Sequence, residues 1–219
     1  VTQTEPQTAA GLPRQHQTML LSHRAMTQDL DRIARTAARL EHHYDREREG
    51  HLRAYTEKLL VSIEHHHIGE DTFLWPALAE AGADPEALAL MTAEHGDLAQ
   101  LLAELHTALA QPLDRPAAAR GLAEAARATH TLLAEHAADE ERELLGRLGP
   151  FLTDEVWTTY QQGMFRTAQE WAFGFIAPWL ASVAGPAEAG GLPPAPNLAD
   201  LLQDFRRQQQ AAFGEFATA

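Results

Sequence analysis

Apolar residues recur at alternating three- and four-residue steps along four long stretches of the chain, the spacing that lines one face of an α-helix. The first stretch starts near Pro13 and runs His16, Met19, His23, Met26, Leu30, Ile33, Ala37 and Leu40. The second, from about Leu52 to Leu78, carries Leu59, Ile63, His66, Glu70, Phe73 and Ala77, with Pro76 and Gly82 near its end. A competing stripe one residue on reads Leu60, Glu64, His67, Asp71, Leu74 and Leu78. It has more polar interruptions, so His66 and Glu70 are taken as the inward pair. The third stretch follows GADPE with Leu88, Met91, His95, Leu98, Leu102, Leu105 and Leu109, and ends at QPLDRP. The fourth, from about Pro116 to Leu148, presents Leu122, Ala126, Thr129, Leu133, His136, Glu140 and Leu144 before Gly149 and Pro150 stop it. No segment alternates with period two, and Ala, Leu, Glu, Arg and Gln prevail over Val, Ile and Thr. An all-α fold is expected.

Each apolar seam is interrupted in a repeating way: a single His, then HxxxE, then a single His, then HxxxE. His23 and His66 are 43 residues apart, and His95 and His136 are 41 apart. Two helical hairpins of this kind pack as an up-down four-helix bundle, with short connections making neighbours antiparallel. Four histidines and two glutamates then meet at one level of the core.

Such a layer needs a counter-charge, because an ionised carboxylate in an apolar core is strongly unfavourable unless paired. A divalent cation supplies one. Within HxxxE the two side chains lie about 40° apart around the helix and one turn along it, so both can reach one centre. A carboxylate can bridge two cations, whereas an imidazole nitrogen binds one. Four His and two Glu therefore suit two metals bridged by the glutamates, each also held by two His. Iron fits this donor set best, and manganese or zinc less well.

Composition narrows the partners. The 219 residues suffice for one domain with an appendage, and 45% are hydrophobic. A formal net charge of -14 argues against a nucleic-acid partner. Cysteine is absent, which removes disulfides, thiolate metal sites and a Cys nucleophile. VTQTEPQTAAGLPRQ lacks the basic and apolar regions of a leader, and WAFGFIAPWLASVA is too short to span a bilayer, so a soluble, cytoplasmic protein is expected.

The elements at His23, HHHIGEDTFLWPAL, AEHGDL and HAADEERELL together resemble the hemerythrin-like, HHE cation-binding four-helix bundle. The resemblance covers about residues 14 to 150. It implies that His23, His66, Glu70, His95, His136 and Glu140 are ligands of a non-haem di-iron centre, bridged by oxo, hydroxo or peroxide. That centre would bind or react with dioxygen, peroxide or nitric oxide. Oxygen carriers of the family have a further His one turn after that of the third helix, where this chain has Ala99. Their last acid lies five residues after the fourth-helix His, at Glu141 here, with Glu140 one residue earlier. Fewer ligands leave more coordination positions open, which shifts the expectation from reversible transport toward sensing or reactivity. The alternative is an oxidase, oxygenase or peroxidase acting on a small-molecule substrate.

The remaining histidines have plainer expected roles. His65 and His67 are read as a solvated flank, with His67 and Asp71 the two that could reach the metals or the ligands around them. His16 and His106 are read as core or pocket residues, and His42, His43, His51 and His130 as surface residues. Glu94, Asp139, Glu141 and Glu143 are read as solvated or as supporting the ligands, Glu141 being the one to test as a ligand.

Beyond the bundle, residues 151–184 are expected to hold one aromatic amphipathic helix from Thr153 to about Ala181, packed on the bundle or forming a homodimer. Residues 185–219 are read as a flexible linker, GPAEAGGLPPAPN, and a polar helix from about Leu198 to Phe213.

Overall fold

In the computed structural model, residues 13–192 and 195–218 are described. The first twelve residues of the N-terminal stretch read for a leader, and Pro193 and Pro194 of the expected linker, lie outside them. Four long helices form the bundle: α1 (Arg14–His42), α2 (Arg46–Gly69), α4 (Pro85–Leu109) and α5 (Pro116–Leu145). A π-helical turn (Glu70–Leu74) and α3 (Trp75–Glu80) extend α2. Then come α6 (Asp154–Thr167), α7 (Ala172–Val183) and α8 (Leu198–Phe213). The described residues contain no strand, as the pattern predicts.

The helix starts follow capping chemistry. Asp45 accepts from the amides of Glu47 and Arg48, Asp84 accepts from Glu86, and Thr153 accepts from Val156. Pro85 and Pro116 occupy first-turn positions, where a missing N–H costs nothing. Pro76 is different, because the second helix continues past it. A proline cannot donate to the carbonyl four residues back, and its ring clashes there; the widened turn at Glu70–Leu74 takes up this conflict.

Along each bundle helix the His/Glu layer separates two apolar clusters. Met26, Ile63, Leu98 and Leu133 belong to one, and Met19, Leu74, Trp75, Met91 and Leu144 to the other. The expected single aromatic helix is in fact two, because its halves serve different clusters. Val156, Trp157 and Tyr160 of α6 enter the second cluster, and Phe175, Trp179 and Leu180 of α7 enter the first. A straight helix would hold Trp157 and Trp179 about 33 Å apart on one line. The chain instead turns at Ala168 (φ −66°, ψ 140°), leaving Phe165 and Phe173 exposed with ring centroids 5.1 Å apart.

The C-terminal helices are clamped to the bundle. Asp29 of α1 is fully buried and accepts from the Tyr55 hydroxyl (2.6 Å), the Trp179 indole (2.8 Å) and Arg32 (2.7 Å). Arg24 donates to both oxygens of buried Glu188 (2.7 and 3.0 Å), so this part of the expected linker is docked on α1. Arg48 donates to the last carbonyls of α8, at Gln210 and Ala211.

Helix α6 lies so close to the π turn that a Cβ at Gly163 would fall 2.4 Å from the Phe73 ring, whereas a Cβ at Gly121 would meet nothing within 4 Å. Gly163→Ala is expected to destabilise the chain by about 1–3 kcal/mol through overpacking. Gly121→Ala should stabilise it by about 0.5–1 kcal/mol through helix propensity. Urea unfolding midpoints check both; equal midpoints would contradict the close α6 contact.

Candidate metal centre

The six residues expected as ligands converge. His23 comes from α1, His66 from the last turn of α2, Glu70 from the start of the π turn, His95 from α4, and His136 and Glu140 from α5. None is more than 7% exposed, and both glutamates are fully buried. Their atoms fall into two groups, in each of which the ligand atoms lie within 4.8 Å of one another: His23, His66, Glu70 and Glu140 in one, His67, His95 and His136 in the other. The Nε2 atoms of His66 and His23 are 3.4 Å apart, and those of His95 and His136 are 3.2 Å apart.

The two carboxylates reach both groups. Glu70 places one oxygen 2.9 Å from His66 Nε2 and the other 3.6 Å from His95 Nε2. Glu140 Oε2 is 3.2 Å from His23 Nε2 and 3.5 Å from His136 Nε2. These approaches lack hydrogen-bond alignment, so all four oxygens are buried without a partner. A cation between the facing lone pairs would satisfy nitrogen and oxygen together, so the donor set fits a metal.

A ring of outer carboxylates fixes the imidazoles. His23 Nδ1–H donates to Glu141 (3.0 Å), His95 Nδ1–H to Asp71 (3.0 Å) and His136 Nδ1–H to Glu94 (2.8 Å). Asp71 is held in turn by the Thr92 hydroxyl (3.2 Å). With the proton on Nδ1, the Nε2 lone pair is directed inward. Glu141, the acid singled out for testing as a ligand, thus faces the outer edge of His23. Asp139 and Glu143 pair with Arg142 and Arg147 instead.

Two histidines depart from expectation. His67 is 5% exposed and lies within the cluster, its ring centroid 4.8 Å from that of His95. His67 lies on the stripe with more polar interruptions, which is nonetheless covered. Helices α6 and α8 cover more of α2, and both competing stripes are largely buried. His106, expected in the core or a pocket, sits at the bundle edge with its side chain 41% exposed and pairs with Glu64. His65, on the flank as expected, bonds Thr167, and His16 is half-buried with neither ring nitrogen hydrogen-bonded.

In the metal-free chain the cluster sorts its own charge. Burial opposes a proton on His23, but Glu140 and Glu141 outweigh it and raise the imidazole to about 10. Burial likewise opposes charge on His136, and Glu140 and Glu94 raise it. Glu70 is pushed well above the carboxylate range by burial and by the charge of Glu140. Burial works against ionised Glu140 too, yet His23 and His136 hold it well below that range. His66 falls to about 3, through burial and the neighbouring charge of His23.

Among known proteins, the family model for the hemerythrin HHE cation-binding domain matches residues 15–148, well over half of the chain. No curated protein and no solved structure matches.

A metal needs neutral imidazole and ionised carboxylate, while His23 keeps its proton up to about pH 10 and burial with the charge of Glu140 favours the protonated form of Glu70. Metal loading should therefore release protons, and apparent affinity should fall as pH drops from about 8 to about 6. Calorimetric titration of the apoprotein with Zn²⁺ in buffers of different ionisation enthalpy measures this; a buffer-independent heat would refute it.

Proposed function

The chain belongs to the hemerythrin HHE cation-binding domain family, and from that premise we propose that it is a non-haem di-iron protein whose centre binds and reacts with dioxygen, peroxide or nitric oxide. The pair Glu70 and Glu140 carries this reading: two buried carboxylates without hydrogen bonds, each within 3.6 Å of an imidazole Nε2 in both halves of the layer. A carboxylate so placed suits a bridge between two cations, with His23 and His66 on one side and His95 and His136 on the other.

Imidazole and carboxylate donors without thiolate suit iron, which when bound supplies redox chemistry toward dioxygen, peroxide or nitric oxide. The chain's own groups hold, orient and enclose. Asp71, Glu94 and Glu141 keep the Nδ1 protons in place and aim the rings. The apolar clusters on either side keep bulk water from the layer.

Burial of the ligand side chains favours small ligands. Two concavities of about 500 and 410 Å³ lie elsewhere, around Arg39, His43 and Phe216. Arg39 is about 24 Å along α1 from His23, too far for a molecule held there to touch the layer. A diatomic sensor or scavenger is therefore preferred to an oxidase of bulky substrates.

The wild type should bind about two irons per chain, and Glu70→Gln or Glu140→Gln at most one. Mixing the anaerobically reduced protein with dioxygen, followed optically, separates the two functional classes. A stable, reversible adduct supports binding or sensing, and decay of the adduct accelerated by a small organic substrate that is itself oxidised supports an enzyme. A wild type purified and reconstituted without stoichiometric metal would overturn the reading.

A further inference from the structure

We propose that His67 is a seventh protein ligand, on the same metal as His95 and His136, so that the two metals are chemically unlike. The inference rests on the two-metal reading above, and its test separates the failure of one from the failure of the other.

Adjacent helical residues point about 100° apart, so two consecutive histidines reach one core only if their helix sits between two partners. Helix α2 does. His66 turns toward α1, with its Nε2 3.4 Å from that of His23. His67 turns toward α4 and α5, with ring centroids 4.8 Å from His95 and 5.2 Å from His136. The ligand atoms of these last three lie within 4.8 Å of one another, a separation that three imidazoles around one ion can adopt.

The hydrogen bonding of His67 fixes which nitrogen is offered. Its Nδ1 is 2.8 Å from the Ile63 carbonyl, which can only accept, so Nδ1 carries the proton. Its Nε2 is then a bare lone pair, fully buried and without a partner. The Ile63 carbonyl already takes part in the helix ladder, so the fold does not need this bond. Its effect is to set the ring and tautomer, the arrangement usual for a ligating imidazole.

Counting donors, the His23 and His66 side offers two imidazoles and the His67, His95 and His136 side three, with both glutamates shared. The third helix has Ala99 one turn after His95 and offers no second imidazole there; His67 of the second helix supplies one instead. Open coordination positions concentrate on the His23 and His66 metal, and a small anion or diatomic should bind there.

The test uses iron-57-loaded full-length protein. Wild type is expected to give two unlike Mössbauer doublets of equal area. His67→Ala should lose one iron or merge the doublets, and added imidazole should restore the wild-type pattern. His67→Met fills the same space without the unpaired nitrogen. Its apoprotein should melt at or above wild-type apoprotein, while the rise in Tm on metal loading shrinks. Both irons retained with unchanged doublets in the variants would overturn the proposal, as would a lower apoprotein Tm with an unchanged metal-induced rise, the signature of a packing residue. A wild type that takes up no metal would overturn this proposal together with the two-metal reading.

Discussion

Two carboxylates without a hydrogen bond in the middle of an apolar bundle set the terms for the rest of the molecule. An unsatisfied buried polar group costs about 1–3 kcal/mol, and an ionised one more. A domain of this size is stable by only about 5–15 kcal/mol in total. Glu70 and Glu140 could not be carried unsupported. In the metal-free chain the support is a rearranged proton balance, in which His23 and His136 favour ionised Glu140 while burial and the charge of Glu140 favour protonated Glu70. A bound cation would replace that balance by ligating both.

Everything around the layer can be understood as holding it while it waits for either solution. The apolar clusters on its two sides are separate, so the polar level is not diluted by core residues sliding past it. The outer carboxylates Asp71, Glu94 and Glu141 fix three imidazole rings from outside. Farther down the bundle, Asp29 is a buried carboxylate of the opposite kind. Donors from Tyr55, Trp179 and Arg32 satisfy it, and it ties α7 to α1 and α2. Asp29 is satisfied by hydrogen bonds from the protein, whereas Glu70 and Glu140 rely on a shifted proton balance or would rely on a bound cation.

The four bundle helices were legible because each buries a continuous stripe, and a His or Glu on a leucine seam stands out against it. The convergence of His23, His66, Glu70, His95, His136 and Glu140 followed from the same stripes. His67 was harder to place, since one-stripe reasoning gives a helix a single buried face and α2 has neighbours on more sides. The break between α6 and α7 has no proline or glycine to announce it. It exists because Trp157 and Trp179 belong to different apolar clusters, a fact of tertiary packing. Glu188 lay in a Pro/Gly-rich stretch whose composition suggests a tether, and only its pairing with Arg24, 164 positions earlier, reveals a docked segment.

The cover over the layer comes from outside the part of the chain that defines the family. The family match ends at residue 148, and α6 begins at Asp154. Gly69 at the end of α2 leaves room for Met164 of α6, and Gly163 of α6 lets that helix rest on Phe73 of the π turn. Tyr160, against the Trp157 ring, is buried, and burial together with the charges of Glu70 and Glu140 keeps its hydroxyl protonated well above the usual range. The converging His and Glu residues therefore belong to the family-matched bundle, whereas the closing of this end belongs to the added helix. Two chains with the same His and Glu cluster and different covers would present it to different molecules, and here that cover includes the α6 contact with the π turn.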